Sequence, residues 1–524
     1  MDSRNSGLKP IVIFGAMVAS LGAFNSGFNT SALNIPGYYV RNCPDVAPGV
    51  VTYYPNSPFP KCIPMSDWIW GVAVGCYALG GLVGALLAGP MSERLGRRDS
   101  MLAINVTFFI GAILLSLSTS SAQFAFGRLF VGIGSGFMTV VISMYIAETT
   151  PPKYRGTMGS LLQLFMTIGI FLIQVIGLGT TSPVGWRIVC MLTIVPAIVQ
   201  IIGLPMCVRS PRWLITKGRI DEAKESLLKL RNGDIEEEFA EMVLSSTKGG
   251  GHKEDEKNVM SGTAAGAAVG DRDSAAGFQT AGPVDGEFES EVSLHFFQII
   301  KIPILAVLTV KVMLIHALSQ LTGINAIMYY STSIFESSFH DNAKYASIGV
   351  AALNMLMTFV ALALVDRLGR KLLLIISSGG MCIFGVLEMI GLLFNVGALQ
   401  VVCVLLFVAS FAIGLGIIPF IYTAEVYPTY AVGGASSACL TLNWLCNFII
   451  GLIFPALQSA IGPYVFLIFA GLAFICFFFL IFFIPETKQK SIEDIGKEIG
   501  WYGIDPTKVM SPDQIKELKE AGEI

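Results

Sequence analysis

Glu93-Arg94-Leu95-Gly96-Arg97-Arg98 and Asp366-Arg367-Leu368-Gly369-Arg370-Lys371 are one phrase written twice, each time wedged between two long apolar stretches. An acid followed by three basic side chains fits between two membrane spans only as a tight turn at the water interface, because such charges cost kcal/mol each inside hydrocarbon. The phrase reads as a joint between spans, and its recurrence reads as a duplicated membrane protein.

Composition, outward from these two joints, agrees. Of 524 residues, 53% are hydrophobic and 14% charged, with a mean hydropathy of +0.67; soluble domains carry about 25% charged residues. Runs of about 20 apolar residues predict twelve spans near 11–33, 68–90, 100–118, 122–146, 157–179, 186–207, 303–325, 344–366, 371–393, 399–425, 434–457 and 463–484. The expected fold class is an all-α polytopic membrane protein of twelve transmembrane helices in two pseudo-symmetric six-helix bundles. The first bundle is expected over 1–207, with an outer loop at 34–67, and the second over 301–484. Between them, 208–300 reads as a cytoplasmic loop with short helices, while 485–524 reads as a cytoplasmic tail. Within the loop, 248–287 is Gly, Ala, Ser and Asp with almost no large apolar residue, a composition expected to stay disordered.

The net charge of −3 points to no partner and to no nucleic acid. Its distribution is more informative. Arg94, Arg97, Arg98, Lys153, Arg155, Arg367, Arg370, Lys371, Lys488 and Lys490 fall on one side, whereas the short loops near 119–121 and 394–398 hold no lysine or arginine. The positive-inside rule places both termini in the cytoplasm. No cleavable signal is evident after Lys9, so the first span is expected to be retained. Cys43 and Cys62 share the long outer loop, where a disulfide is open to them in an oxidising space. Four dispersed histidines and no paired-cysteine spacing leave no catalytic cluster, metal site or cofactor to argue for, so an enzyme is not expected.

The duplication extends beyond the joint: Glu148 to Gly156 follows the first phrase, and Glu425-Val426-Tyr427-Pro428 follows the second at a similar distance. With Gly127-Arg128, Ser210-Pro211-Arg212-Trp213-Leu214, Gln320-Leu321-Thr322-Gly323-Ile324-Asn325 and Pro485-Glu486-Thr487-Lys488, these phrases run end to end in the order of one family. The chain resembles a sugar porter (hexose transporter-like protein) of the major facilitator superfamily. The resemblance implies alternating access between two halves, with a small-molecule sugar as substrate, the bilayer as surroundings and a monomer as the working unit.

The charged phrases then suggest a gate. Glu93, Arg94, Arg97, Glu148, Arg155, Arg212, Asp366, Arg367, Arg370, Glu425 and Glu486 lie at the cytoplasmic ends of spans, where pairs could close the inner mouth and part when it opens. The second half has Val432-Gly433 where the first has Arg155-Gly156, and the family's acid before Ser210 is Arg209. Arg209 is expected to replace the lost charge by pairing with Glu425 or Asp366.

For the pathway, amides suit hydroxyls because they donate and accept at once. The resemblance points to Gln163 in span 5, Gln320 and Asn325 in span 7, Asn354 in span 8, Phe411 in span 10, and Trp444 with Asn447 in span 11. Departures from the family pattern are Ser319 beside Gln320, Ala412 in place of an acid, and Phe420 in place of tryptophan. In span 1, Ser26-Gly27-Phe28-Asn29 carries asparagine where proton-driven relatives often have aspartate, which favours facilitative uniport. The alternatives are a proton-coupled sugar symporter using His316, one helical turn from Gln320, and a non-transporting sugar sensor. The plasma membrane is the expected residence, with vacuolar or other endomembranes the alternative. Lys311 is expected to snorkel to the cytoplasmic edge.

Overall fold

The computed structural model describes the chain except for residues 1–6, 44–45, 48, 248–293, 489, 491, 505, 513 and 516–524. The predicted low-complexity insert at 248–287 and the end of the tail therefore lie outside the described residues. Eleven helical stretches are long and apolar enough to cross a membrane. The last of them, Tyr430–Phe483, contains two helices, Thr429–Ile461 and Val465–Phe483, so the spans number twelve among the described residues.

Spans 1 to 5 are Pro10–Ser31, Asp67–Leu95, Arg97–Ser116, Ser121–Thr149 and Arg155–Leu178, and span 6 is Gly185–Leu192 continued by Ile194–Gly203. Spans 8 and 9 are Ala343–Leu368 and Arg370–Leu393, and spans 11 and 12 are the pair just given. Span 7 departs from its expected end at 325. It breaks after Leu321, turns at Gly323 with φ +95°, and resumes as Ile324–Phe339. Span 10 is also broken, into Gly397–Ile413 and Ile418–Val426 around Gly414-Leu415-Gly416. Apolar periodicity runs straight through both breaks, which is why hydropathy alone did not reveal them.

The repeated phrase is a one-residue joint. Span 2 ends at Leu95 and span 3 starts at Arg97; span 8 ends at Leu368 and span 9 starts at Arg370. The linking residues, Gly96 and Gly369, have φ of +89° and +93°, which L side chains rarely adopt. A Cβ on Gly96 would also come within 3.0 Å of the Trp213 ring.

Within the first half, spans 2 and 4, 1 and 5, and 3 and 4 pack together; within the second, spans 9 and 10, 9 and 12, 7 and 11, and 8 and 10 do. Span 2 meets span 11, and span 5 meets span 8, across the two halves. The Arg-rich ends of the spans define a basic face. The opposite face carries the first loop, in which Cys43 and Cys62 are bridged.

At that disulfide face the halves touch directly. A Cβ on Gly71 of span 2 would lie 2.1 Å from Leu452 O of span 11, a backbone approach that only a small residue allows. Asn34 Nδ2 donates to Met328 O at 3.2 Å and to Ser331 Oγ at 2.7 Å, Ser31 Oγ donates to Met328 O at 3.0 Å, and the Thr332 N–H donates to Asn34 Oδ1 at 3.0 Å. Asp67 joins Arg41 at 2.6 Å and accepts from Ser459 Oγ at 2.6 Å.

On the basic face, Pro211–Thr216, Ile220–Leu230 and Glu236–Thr247 form a small satellite with its own core of Trp213, Leu214, Leu227, Ile235 and Phe239. It is fastened to the first half: Trp213 Nε1 donates to Glu93 O at 2.9 Å, and Lys9 Nζ to Leu228 O at 2.7 Å. The tail helix Ile492–Ile499 is followed by Trp501, whose Nε1 donates to Val426 O of the second half at 3.0 Å.

Gly71→Val should hold spans 2 and 11 apart and open the disulfide face. In a background with Cys76 and Cys382 replaced by serine, a cysteine introduced at Ser333 should react several-fold faster with an impermeant maleimide when Gly71→Val is present. An unchanged rate would contradict the close approach as a seal.

Candidate functional site

On the basic face the two halves repeat one arrangement. Arg97, at the start of span 3, places Nε 3.0 Å and Nη2 2.8 Å from Oε1 of Glu148 in span 4, and its Nη1 donates to Ser92 O at 3.3 Å. Arg370, at the start of span 9, places Nε 3.1 Å and Nη2 2.8 Å from Oε1 of Glu425 in span 10, with Nη1 on Val365 O at 3.3 Å. A hydroxyl completes each pair: Ser210 Oγ donates to Glu148 Oε2, and Thr487 Oγ1 donates to Glu425 Oε2 at 2.6 Å. Each of these pairs closes within its own half.

The next residue out breaks the symmetry. Glu486, just before Thr487, accepts from the backbone N–H groups of Arg370 and Lys371 at 3.0 Å each, capping span 9 where a helix N-terminus favours negative charge. Arg209, just before Ser210, cannot accept such bonds. Asp99 in the first turn of span 3 supplies the negative charge instead, pairing with Arg209 at 2.9 Å and Arg98 at 2.8 Å. The expected pairing of Arg209 with Glu425 or Asp366 is therefore corrected. Position 209 belongs to the first half and meets Asp99 there, while Glu425 is occupied by Arg370 and Thr487. The Asp366 side chain lies outside the described residues.

Other candidate gate residues are less engaged. The side chains of Glu93, Arg94, Arg155, Arg212 and Arg367 are exposed. The Arg367 carbonyl takes Lys488 Nζ at 2.6 Å, as the Glu93 carbonyl takes Trp213.

Arg231 was missed, because nothing in the sequence around it marks a buried cation. Its guanidinium is fully buried, Nε lies 3.0 Å from Glu238 Oε1, and Nη1 donates to Thr149 O at 2.9 Å. Burial lowers its pKa and Glu238 raises it. The pair ties the satellite to the C-terminal end of span 4, where a cation complements the helix dipole.

Deeper in, the break in span 7 gathers polar groups. Asn325 Nδ2 donates to Gln320 Oε1, and Gln320 Nε2 to Ser319 Oγ at 3.3 Å. One turn beyond Asn325, the Tyr329 hydroxyl donates to Asn447 Oδ1 at 2.8 Å. Trp444, one turn before Asn447's neighbour Phe448, stands edge-on to Tyr77 with ring centroids 6.2 Å apart, seated against Gly81 where a Cβ would come within 2.4 Å of its ring. Gln320 and Asn325 thus share one polar group, while Asn447 meets Tyr329 and Trp444 meets Tyr77. Gln163 and Phe411 are half-buried and Asn354 is buried. They make none of the side-chain bonds or ring contacts that join that group. Spans 5 and 8, which carry Gln163 and Asn354, pack against each other.

The two positions that bear on proton coupling resolve into hydrogen-bonded structure. His316 Nε2 lies 3.0 Å from Thr423 Oγ1, whose own proton goes to Pro419 O at 2.7 Å, so the imidazole is the donor of that pair. Its ring stands edge-on to Phe420 at 5.2 Å. Asn29 Oδ1 accepts from Thr193 Oγ1 at 3.1 Å, and its Nδ2 donates to Asn25 O at 2.9 Å. Arg128 donates Nη1 to Asn29 O at 2.9 Å and lies 4.7 Å over the Tyr77 ring. Tyr77 and Tyr329 carried no sequence signal beyond their apolar surroundings.

Above this group, a cavity of about 740 Å³ opens toward the disulfide face, lined by Asn34, Arg41, Asp67, Trp70, Tyr329 and Tyr330 among others. Tyr329 faces it on one side and holds Asn447 on the other. The Tyr330 hydroxyl donates to Gly451 O at 2.8 Å, fixing the second ring to span 11.

A family model described as Sugar (and other) transporter matches residues 11–265 and 289–498. Facilitated glucose transporter member 3 of solute carrier family 2 from Oryctolagus cuniculus is 32% identical over 500 residues, spanning 93% of this chain and 92% of its own. The Homo sapiens protein of that name matches with the same identity and the same coverage, 32% over 500 residues. The xylose transporter XylE from E. coli, in a partially occluded inward open conformation, has a TM-score of 0.70 at 22% identity, covering 92% of this chain and 100% of that one. The proton:xylose symporter XylE bound to 6-bromo-6-deoxy-D-glucose has a TM-score of 0.66 at 22% identity, covering 93% and 98%. At that identity the solved structures establish the twelve-helix fold.

A double-mutant cycle tests the local pairing of Arg209. Arg209→Ala and Asp99→Ala, followed by thermal unfolding in detergent, should show a coupling of roughly 0.2–1 kcal/mol, the range for a partly exposed pair. Arg209→Ala and Glu425→Ala should be additive. The reverse outcome would reinstate a pairing across the halves.

Proposed function

This chain belongs to the sugar transporter family of the major facilitator superfamily, and on that footing we propose that it carries a hexose by facilitative uniport, exposing one neutral pocket to each side of the membrane in turn. Gln320, Asn325, Trp444 and Asn447 bind the sugar: the amides meet its hydroxyls and the indole lies against its apolar ring face. Gln163, Asn354 and Phe411 line the same passage from spans 5, 8 and 10. The basic face is cytoplasmic, both termini with it, and the plasma membrane is the site of action. The carrier works as a monomer.

Alternating access follows from the contacts that close one face. The backbone approach of spans 2 and 11 and the hydrogen bonds of Asn34 seal the disulfide face. On the basic face, Arg97 with Glu148 and Arg370 with Glu425 stiffen each half, so the halves can part there as rigid bodies. Glu93, Arg94, Arg155, Arg212 and Arg367 then supply the exposed charges that meet, together with Asp366, when that mouth shuts, each worth little alone and useful only as a network. Glu486 keeps the joint of span 9 in register.

Asn29 is the observation that carries the uniport reading. Its amide is engaged at both ends by Thr193 and Asn25, so span 1 offers no group there that can take up and release a proton. His316 is spent on Thr423 within its own half. Relatives named facilitated glucose transporters support the same mode.

Counterflow of labelled hexoses in liposomes should proceed at the same rate with and without a pH gradient. Accumulation driven by the gradient and abolished by His316→Gln would overturn uniport, and binding without flux would replace the carrier by a sensor. Gln320→Ala should weaken sugar affinity by ~1–3 kcal/mol, the cost of leaving a hydroxyl or Asn325 unpaired. Unchanged affinity would remove Gln320 from the pocket.

A further inference from the structure

A second cavity, of about 620 Å³, lies near the basic face between span 7, span 12 and the tail helix, away from the sugar-binding group. Its lining combines two lysines, Lys311 and Lys371, with Ile304, Val307 and the neighbouring rings Phe482 and Phe483. Those rings are 71% and 53% exposed, and Val307 is 56% exposed, on surfaces that face lipid in a membrane.

Lys311 is out of place by ordinary rules. Ile304, Val307, Val310 and Leu314 form the exposed stripe of span 7, and Lys311 sits on that stripe four residues after Val307 and three before Leu314. It lies eight residues beyond the first helical residue Pro303, about 12 Å along the axis. A lysine on a lipid-facing stripe at that depth is costly unless its ammonium reaches water or an anion. Its stem can snorkel toward the basic face, and the cavity is where the head arrives.

Lysines outnumber acids two to one in the lining. Lys371 Nζ donates one hydrogen bond, to Ile481 O at 2.9 Å, and keeps two donors for a ligand. Glu498, the one acid in the lining, is held by Lys490 at 2.5 Å. Two ammonium groups beside a lipid-exposed aromatic rim fit a molecule with an anionic head and apolar tails.

We propose that this cavity binds the phosphate-bearing headgroup of an anionic phospholipid, with Lys311 and Lys371 as its cationic ligands and Phe482 and Phe483 against its acyl chains. Taking the basic face as cytoplasmic rests on the reading under Proposed function, and the lipid then comes from the inner leaflet. Such a lipid would bridge span 7, which carries the sugar-binding break, to the tail helix and to the joint of span 9.

Native mass spectrometry of the full-length protein, delipidated in detergent and given equal amounts of phosphatidylserine and phosphatidylcholine, tests this directly. The wild type should retain phosphatidylserine about 25-fold over phosphatidylcholine, about fivefold or ~1 kcal/mol for each of the two lysines. Lys311→Gln should lower that ratio about fivefold, Lys371→Gln should lower it independently if the first variant is poorly folded, and Lys311→Arg should preserve it. Glycerol phosphate at the same concentration should displace none of the lipid. Equal retention of the two lipids, ratios untouched by both glutamine variants, or displacement by glycerol phosphate would each overturn the proposal. Counterflow in phosphatidylcholine liposomes reports on the carrier reading separately.

Discussion

An arginine that must stay charged at the end of a membrane helix needs a carboxylate from the neighbouring helix, and this need organises both halves of the molecule. Arg97 and Arg370 open spans 3 and 9 immediately after a glycine joint, and each turns back to an acid at the end of the following span. The partly buried position of these pairs matters: removing one partner would strand a charge in a desolvated place, at a cost of about 3–5 kcal/mol for a buried pair. The pairs, with Ser210 and Thr487 on their second oxygens, therefore brace each half internally.

Rigidity within the halves shifts the conformational work to the surface between them. There the sequence supplies small residues and neutral polar groups. Spans 2 and 11 approach backbone to backbone at Gly71, and Asn34 bonds to the broken second part of span 7. These contacts are many and individually modest, which suits the alternating opening proposed for this interface. The break in span 7 serves both purposes, since Gln320 and Asn325 lie on either side of it and Tyr329 carries the connection on to span 11.

Much of this was legible beforehand because the physics of a bilayer is blunt. Span number, the two-fold repetition and the glycine joints follow from apolar length and from the price of charge in hydrocarbon. Gln320, Asn325, Trp444 and Asn447 were named by resemblance, and they lie on connected elements. What escaped was what hydropathy cannot encode. The discontinuities in spans 7 and 10 are apolar on both sides, Arg231 follows a short loop helix with no local mark of burial, and Tyr77 and Tyr329 read as packing. Arg209 was misassigned because it was read as replacing the arginine absent at Val432 in the other half, when Asp99, in the first turn of span 3, stood beside it.

The central claim is that two stiff halves rock about a neutral, sugar-binding interface. Paired spin labels measure that motion most directly, one pair at Tyr38 and Tyr345 on the disulfide face and another at Lys153 and Lys301 on the basic face, with distances recorded before and after addition of a transported hexose. The account predicts reciprocal changes, one distance lengthening in part of the population as the other shortens. Distances that stay fixed, or that move in the same direction at both faces, would contradict it.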